Sequence, residues 1–288
     1  MGAGGMAGHV LSTFLVEQGH QVTSMSARTR LDSETVMLDV RRTDELDAFL
    51  VSQDFDAVVN CIGSLVQESE LHKSQAVYLN SFLPHHLEEI FHDRPTRVVH
   101  LSTDCVFSGA SGPYIEKSPT DGKKFYDRSK ALGELDNLKD LTLRMSIIGP
   151  EIREGGTGLM GWFLSQTGEV RGYSKAIWNG VTTLELAKAI EAILDTEIRG
   201  IYHLVPSVGI SKYELLVLIK EIFERDDITV IPYDSDPLDK TLVDTRNELG
   251  YTVGGYREML QDLRVWMEQH ERLYRAPTRR TANGGGSQ

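Results

Sequence analysis

Gly2-Ala-Gly-Gly5-Met-Ala-Gly8 opens the chain and runs directly into Met6, Val10, Leu11, Phe14 and Leu15, apolar residues at helical spacing that stop at Gly19. A helix that begins in glycines offers free backbone N–H groups to an anion, and the missing Cβ atoms let a pyrophosphate come close. Residues 21–25 then read as a strand. Glycine turn, helix and strand in that order describe a dinucleotide-binding unit, in which the glycines normally follow a buried strand. Here they begin at residue 2. The first strand is therefore missing from the sequence, and the expectation is that it is encoded upstream of Met1.

Working outward, further short β-branched or apolar runs at 35–38, 57–61, 97–101 and 141–146 read as strands separated by helical patterns. This alternation predicts an α/β fold, a doubly wound parallel sheet of the Rossmann type with helices on both faces. One long helix is expected over 69–92, kinked or broken at Pro84. After Gly149 come a glycine-rich stretch, helices at 159–166 and 183–194, a strand at 200–204, and helices at 211–223 and 256–270. Ser211 with Glu214 forms a capping box. The expected organisation is a cofactor-binding domain over 1–149 and a smaller α+β substrate lobe over 150–275, with segments that return to the first. Residues 276–288 read as a disordered tail.

With 288 residues and 40% hydrophobic content the chain has ample material for a core. Its net charge of −12 argues against a nucleic-acid surface. No apolar run approaches the roughly 20 residues that span a bilayer, and no signal peptide is visible, so a soluble cytoplasmic protein without a membrane partner is expected. Cys61 and Cys105 lie in apolar runs and read as buried thiols. The nine histidines show no metal-ligand spacing, so no metal site is expected.

Gly2, Gly5 and Met6 are the candidate pyrophosphate contacts. Sites that prefer NAD carry an acid at the end of the second strand. Here that position reads Ser24-Met-Ser-Ala-Arg28, with no acid before Asp32. Arg28, with Ser26 or Arg30, can instead hold a 2′-phosphate, so the reading leans to NADP over NAD; the alternative is a solvated loop arginine. Asp39 and Val40 are placed beside the adenine, and Asn60-Cys61-Ile62-Gly63 on the floor near the ribose. Asn80 is a further cofactor-side candidate, holding a water or a backbone group, or else an ordinary helix asparagine.

Tyr126-Asp-Arg-Ser-Lys130 puts a phenol and an ammonium on one helical face. Carbonyl reduction needs a hydride donor, a proton donor and a polar clamp on the carbonyl oxygen. Tyr126 can supply the proton if Lys130 lowers its pKa from about 10. Thr103, at the end of the apolar run Val98-Val-His-Leu-Ser102, can bind the same oxygen, with Ser102 beside it. Ser102, Thr103, Asp104, Val106, Arg144 and Trp178 are the candidate substrate contacts, with Trp162 and Asn179 as further ones. A guanidinium suits a diphosphate, and an indole can stack on a base or sugar, although each of these residues also fits a framework role.

Taken together, Gly2 to Gly8, Asn60-Cys-Ile-Gly63, Tyr78-Leu-Asn80, Leu101-Ser-Thr-Asp-Cys-Val-Phe-Ser-Gly109, Tyr114-Ile-Glu116 and Tyr126-Asp-Arg-Ser-Lys-Ala-Leu-Gly-Glu134 resemble the extended short-chain dehydrogenase/reductases, and within them the dTDP-4-dehydrorhamnose reductases. The resemblance spans most of 1–270 and is strongest in the first half. It implies a nucleotide-diphosphate sugar with a 4-keto group as substrate, Thr103, Tyr126 and Lys130 as catalytic residues, and sugar-nucleotide binding by the C-terminal lobe. Relatives of this kind are often homodimers. Cys105 replaces a usual tyrosine, and Phe125-Tyr126-Asp127 replaces the common Tyr-Gly, which points to a different sugar. Dehydratases of the superfamily place Asp-Glu after the threonine, unlike Asp104-Cys105. Two alternatives stay open: an epimerase that holds NAD and returns its hydride, and a non-catalytic regulatory subunit like the β subunit of methionine adenosyltransferase.

Overall fold

Short apolar strands joined by helices fold in parallel because each crossover must return across a face of the sheet, and a helix covers that face as it does so. The computed structural model of the protein describes residues 1–152, 158–234 and 236–274, so the tail expected at 276–288 lies outside the described residues. The glycine turn leads into α1 (Met6–Glu17), then β1 (Met25–Ser26), β2 (Val36–Met37), α2 (Thr43–Val51) and β3 (Ala57–Asn60). Two short helices, α3 (Val66–Leu71) and α4 (Lys73–Val77), pass through a π turn at Tyr78–Phe82 into α5 (Leu83–Ile90). Next come β4 (Arg97–Leu101), α6 (Phe125–Ala131), β5 (Leu141–Arg144), β6 (Ile147–Ile148) and α7 (Leu159–Leu164). The remainder holds β7 (Gly168–Tyr173), β8 (Ala176–Trp178), β9 (Val181–Thr182), α8 (Thr183–Leu194), β10 (Gly200–His203), β11 (Ile210–Ser211) and α9 (Lys212–Ile222). β12 (Ile228–Tyr233), β13 (Leu238–Asp239), α10 (Tyr256–Gln269) and α11 (Glu271–Tyr274) complete the described chain.

The central sheet runs β10-β5-β4-β3, every pair parallel, so the α/β class holds. Successive residues of β3 and β4 serve opposite faces: Val58 and Val98 join one core with Leu46, Leu50, Leu83 and Leu87 from α2 and α5, whereas Val59 and Val99 face the core of α1, α8 and α10. A strand buried on both faces needs near-continuous apolar sequence, which is why the run at Val98-Val99 is so legible.

β1 and β2 form a separate parallel pair. Between it and β3 the chain supplies only its first residues: the Met1 ammonium donates to Val59 O (2.8 Å), Cys61 N–H donates to Met1 O (3.2 Å), and the Gly2 and Ala3 N–H groups both donate to Met25 O (2.9 Å each). Ser24 O accepts from Val36 N–H (2.8 Å), and the strand expected over 21–25 shortens to Met25–Ser26.

The long helix expected over 69–92 is instead three helical pieces with a π turn. Pro84 has no N–H to give Asn80 O, four residues back, and Gly133 packs against that freed carbonyl so closely that a Cβ on it would lie 1.9 Å away. In the second half Ser211 caps α9 as anticipated, with Glu214 completing the box. The parallel pair β7–β12 and the small sheet β11-β8-β13 went unseen in the sequence.

Candidate active site

The three spaced glycines occupy three different geometries. Gly2 has φ +82°, and a Cβ there would press on Ile62 (3.0 Å) and on the Cys61 backbone (3.2 Å). Gly5 is the exposed N-cap of α1, so the first N–H groups of that helix face outward without a side-chain cap. Gly8 packs the helix onto the turn, where a Cβ would lie 2.1 Å from Gly2 O. Turn, open helix end and close packing are the three features that admit a pyrophosphate. Met6 reaches across the mouth to Gly158.

Beside this turn Ser26 Oγ accepts from the Arg28 and Thr29 N–H groups at 3.5 and 3.3 Å, and a Cβ on Gly4 would meet Thr29 and Ser26 at 2.8 and 2.9 Å. Arg28 is thus exposed on a loop folded against the glycines. Its charge, together with the bonded Arg41, holds the Asp39 carboxyl below the usual range, the Arg41 bonds being the larger cause. Asp39 spends both oxygens on Arg41, and Val40 is buried, its carbonyl accepting from Tyr78 Oη (2.8 Å).

On the floor, Asn60 Oδ1 accepts from Ile62 N–H (3.1 Å), and burial pushes the Cys61 thiol up. Asn80 is fully buried: Oδ1 accepts from Ser64 N–H (2.7 Å), and Nδ2 donates to Ser64 O (3.1 Å) and Ser129 Oγ (2.9 Å). It holds a backbone group, as one of its expected roles had it, and clamps the loop after Gly63 to α6.

β4 ends at Leu101 and delivers Thr103 to the rim of the sheet. There Thr103 Oγ1 accepts from Cys105 N–H (3.1 Å) and donates to Asp104 Oδ1 (3.0 Å). Tyr126, in the first turn of α6, is half-buried and has the Thr103 side chain as a hydrogen-bonding neighbour. Lys130, one turn on, is buried; Nζ donates to Leu101 O (2.7 Å) and lies 3.2 Å from His100 Nε2. The three residues expected to act together do converge at one strand end. The expected acidification does not appear. Burial, then Cys105 and Asp104, push the Tyr126 phenol up, with Thr103 opposing. Lys130 is itself lowered to about 8, by burial against the pull of Glu134. Burial also raises Asp104, opposed by Lys240 and Lys212 from the second half of the chain.

Several expected substrate contacts belong to the framework instead. Arg144 is bidentate to Glu134 (2.8 and 2.7 Å), also donates to Glu116 O (3.1 Å), and lies over the Phe107 ring. Ser102 Oγ donates to the same Glu134 carboxylate (2.6 Å). Val106 is completely buried with Phe107, Tyr114 and Leu242. Trp178 is core, its Nε1–H donating to Ser146 Oγ (2.8 Å), and Asn179 is cross-linked to the Leu242 backbone. Trp162 stays exposed on α7. Sequence reasoning passed over His100, Glu134, Lys212 and Lys240. A histidine inside the apolar run Val98-Val-His-Leu101 was the visible signal for the first.

An open depression of ≈ 610 Å³ lies between α3 and the start of α6, lined by Val66, Glu70, Leu71, Lys124 and Phe125. Among the described residues no His, Cys, Asp or Glu cluster could hold a metal ion, and no helix is long and apolar enough to cross a membrane.

A family model described as the RmlD substrate binding domain matches residues 1–242. A dTDP-4-keto-6-deoxy-D-glucose reductase of Streptomyces niveus is 29% identical over 244 residues, 82% of this chain and 81% of its own. A probable low-salt glycan biosynthesis reductase of Haloferax volcanii is 31% identical over 155 residues, and the match spans about half of each, 51% of this chain and 52% of the relative. Among solved structures, dTDP-4-dehydrorhamnose reductase of Bacillus anthracis, in complex with NADP, superposes with TM-score 0.79 at 18% identity, covering 92% of this chain and 97% of that one. That likeness establishes the Rossmann-type fold.

Proposed function

Because the chain belongs to the RmlD substrate binding domain family, we propose that it is an oxidoreductase that uses NADPH to reduce the 4-keto group of a nucleotide-diphosphate 4-keto-6-deoxy sugar. The observation that carries the reading is the meeting of Thr103, Tyr126 and Lys130 at the end of β4, next to the β3 end over which Gly2 folds. The names of the Streptomyces and Bacillus relatives supply the substrate and cofactor classes.

The residues fit a dinucleotide: Gly2, Gly5 and the open end of α1 would hold the pyrophosphate, Arg28 a 2′-phosphate, and Cys61 to Gly63 the ribose side. The bound nicotinamide would supply the hydride to the carbonyl carbon. Tyr126 gives its phenolic proton to the oxygen, so that one hydride and one proton turn ketone into alcohol. Thr103 hydrogen-bonds the same oxygen, stabilising the charge that builds there. A phenol held above its usual range gives up its proton only to a strong base, such as the alkoxide formed as hydride arrives.

The test is NADPH oxidation by the purified protein, monitored by absorbance and dependent on added dTDP-4-keto-6-deoxy sugar. Tyr126→Phe is expected to lose about 10²-fold or more in kcat while still binding NADPH. Full turnover by that variant would exclude Tyr126 as the acid. Protein that purifies with bound NAD and consumes no reduced cofactor would favour the epimerase, and dinucleotide binding without any turnover would favour the regulatory subunit.

A further inference from the structure

His100 lies in the interior of the sheet, opposite Asn60 of β3, and is fully buried. Its Nδ1 is 3.2 Å from Asn60 Nδ2 and its Nε2 is 3.2 Å from Lys130 Nζ. The orientation of the asparagine is set by a backbone group: Asn60 Oδ1 accepts from Ile62 N–H (3.1 Å), so the amide nitrogen is what faces the ring. An amide nitrogen only donates, so His100 Nδ1 must accept, and a neutral imidazole then carries its one proton on Nε2. That N–H points at Lys130 Nζ. A neutral amine has a lone pair to receive it, whereas an ammonium has none. Burial keeps the ring itself uncharged, and a protonated Lys130 opposes its charging further.

Protonating Lys130 therefore reverses the chain of bonds. The ammonium donates to His100 Nε2, the ring proton moves to Nδ1, and Asn60 must turn its oxygen to receive it, releasing Ile62 N–H. We propose that His100 is a positioning residue that couples the protonation of Lys130 to the orientation of Asn60, and through it to the Cys61–Gly63 loop beneath the glycine turn. In the amine state the loop is held; in the ammonium state it is freed. Glu134, beyond the end of α6 and bonded to Arg144 and Ser102, favours the ammonium. His85 of α5 acts on His100 in the same sense as Lys130 does. The lowering of Lys130 to about 8 brings the exchange into an accessible pH range. The role of this coupling in turnover rests on the reductase reading; the coupling itself does not.

The experiment is an NMR titration of the cofactor-free protein from pH 6.5 to 9.5, following Lys130 Cε and the Ile62 amide. The expected result is one shared midpoint for both signals. In Asn60→Asp a carboxylate accepts from Ile62 N–H and from His100 Nδ1–H at once. The Ile62 signal should then stay flat while the Lys130 midpoint rises by about one pH unit. His100→Gln gives the same test independently and covers a failure of the first variant to fold, since the glutamine amide can turn by itself and leave Ile62 held at both ends. An Ile62 amide that stays flat in the unmodified protein, or still titrates with Lys130 in both variants, would overturn the proposal. NADPH turnover measured alongside separates the two readings: an active enzyme with a flat Ile62 refutes the coupling alone, and a coupled titration without turnover refutes the reductase alone.

Discussion

Replacing Arg144 by methionine separates a framework arginine from a substrate contact. Arg144 and Glu134 are 3% and 5% exposed, and their two parallel bonds at 2.8 and 2.7 Å are joined by a third to the carboxylate from Ser102 Oγ. Removing one partner of a buried pair costs about 3–5 kcal/mol, because the other charge is left without compensation. Here the Ser102 bond survives and Glu134 still acts on Lys130, so the lower end, about 3 kcal/mol, applies. At roughly 2–3 °C per kcal/mol for a chain of this size, Tm should fall by about 6–9 °C. Glu134→Leu should cost a similar amount from the other side. The double variant Glu134→Leu/Arg144→Met should recover most of the loss, since it buries no charge at all. Urea unfolding and a thermal melt of the four proteins form the cycle, with KM for the sugar nucleotide measured well below the transition. An Arg144→Met protein that melts like the unmodified one but has a raised KM would refute the framework assignment, and so would strictly additive losses in the double variant.

Three further outcomes follow from the geometry. Gly8→Ala drives a Cβ into Gly2 O and should cost about 1–3 kcal/mol of stability in a thermal melt while weakening dinucleotide binding; a variant with unchanged Tm and affinity would contradict the packing seen here. Arg28→Ala should lose about 10- to 100-fold in NADPH affinity, the equivalent of roughly 1.5–3 kcal/mol of charge-assisted bonding, with NADH binding unaltered; equal losses for both cofactors would remove Arg28 from the 2′-phosphate. Lys130 falls from its ordinary 10.5 to about 8 on folding, so between those values the unfolded chain binds the extra proton and stability rises with pH. Relative to Lys130→Met, the unmodified protein should gain up to about 1.4 kcal/mol per pH unit between pH 8 and 10 in urea melts, and a flat or falling difference would deny that the amine is buried.

The half of the site proposed for the cofactor is built from local backbone: three glycines, the helix behind them and a loop arginine lie within the first 28 residues, and the open turn they form follows from φ and from absent Cβ atoms. The substrate half is built from contacts between distant segments. Arg144 reads as a free guanidinium until Glu134 is brought against it, and Trp178 reads as a stacking surface until Ser146 and Tyr256 close over it. Val106 sits next to chemistry in sequence, but the turn at Asp104–Val106 rotates it into the core. The helix at 69–92 failed in part for a related reason, since Gly133 reaches the π turn at Asn80 from 53 positions away; its earlier break at His72 has no such contact among the described residues to explain it. Lys212 and Lys240 had no local pattern at all. The small sheet β11-β8-β13, the bond from Asp239 N–H to Gly109 O and the bonds that Tyr114 makes with Thr241 O and Val243 N–H bring the Lys240 segment to the loop that follows Asp104.

Strand β4 explains why Thr103, Tyr126 and Lys130, the three residues proposed to act together, meet at one end of the sheet. Val98 and Val99 commit its two faces to the two cores, and the ladders to β3 and β5 fix its register. With the register held, Leu101 O is placed to receive Lys130, Ser102 to reach Glu134, and Thr103 to stand beside Tyr126. Each contact falls on the strand end because the apolar run stops there, and the hydroxyls that end it have nowhere to go but the rim. His100 is the exception inside that run. A buried, uncharged imidazole in mid-strand costs stability unless both ring nitrogens are satisfied, and Asn60 and Lys130 satisfy them from a neighbouring strand and a covering helix. Leucine would pack the same volume without needing either partner. The polar choice at that position is therefore best explained by what it links, the amine on one side and the Ile62 loop on the other.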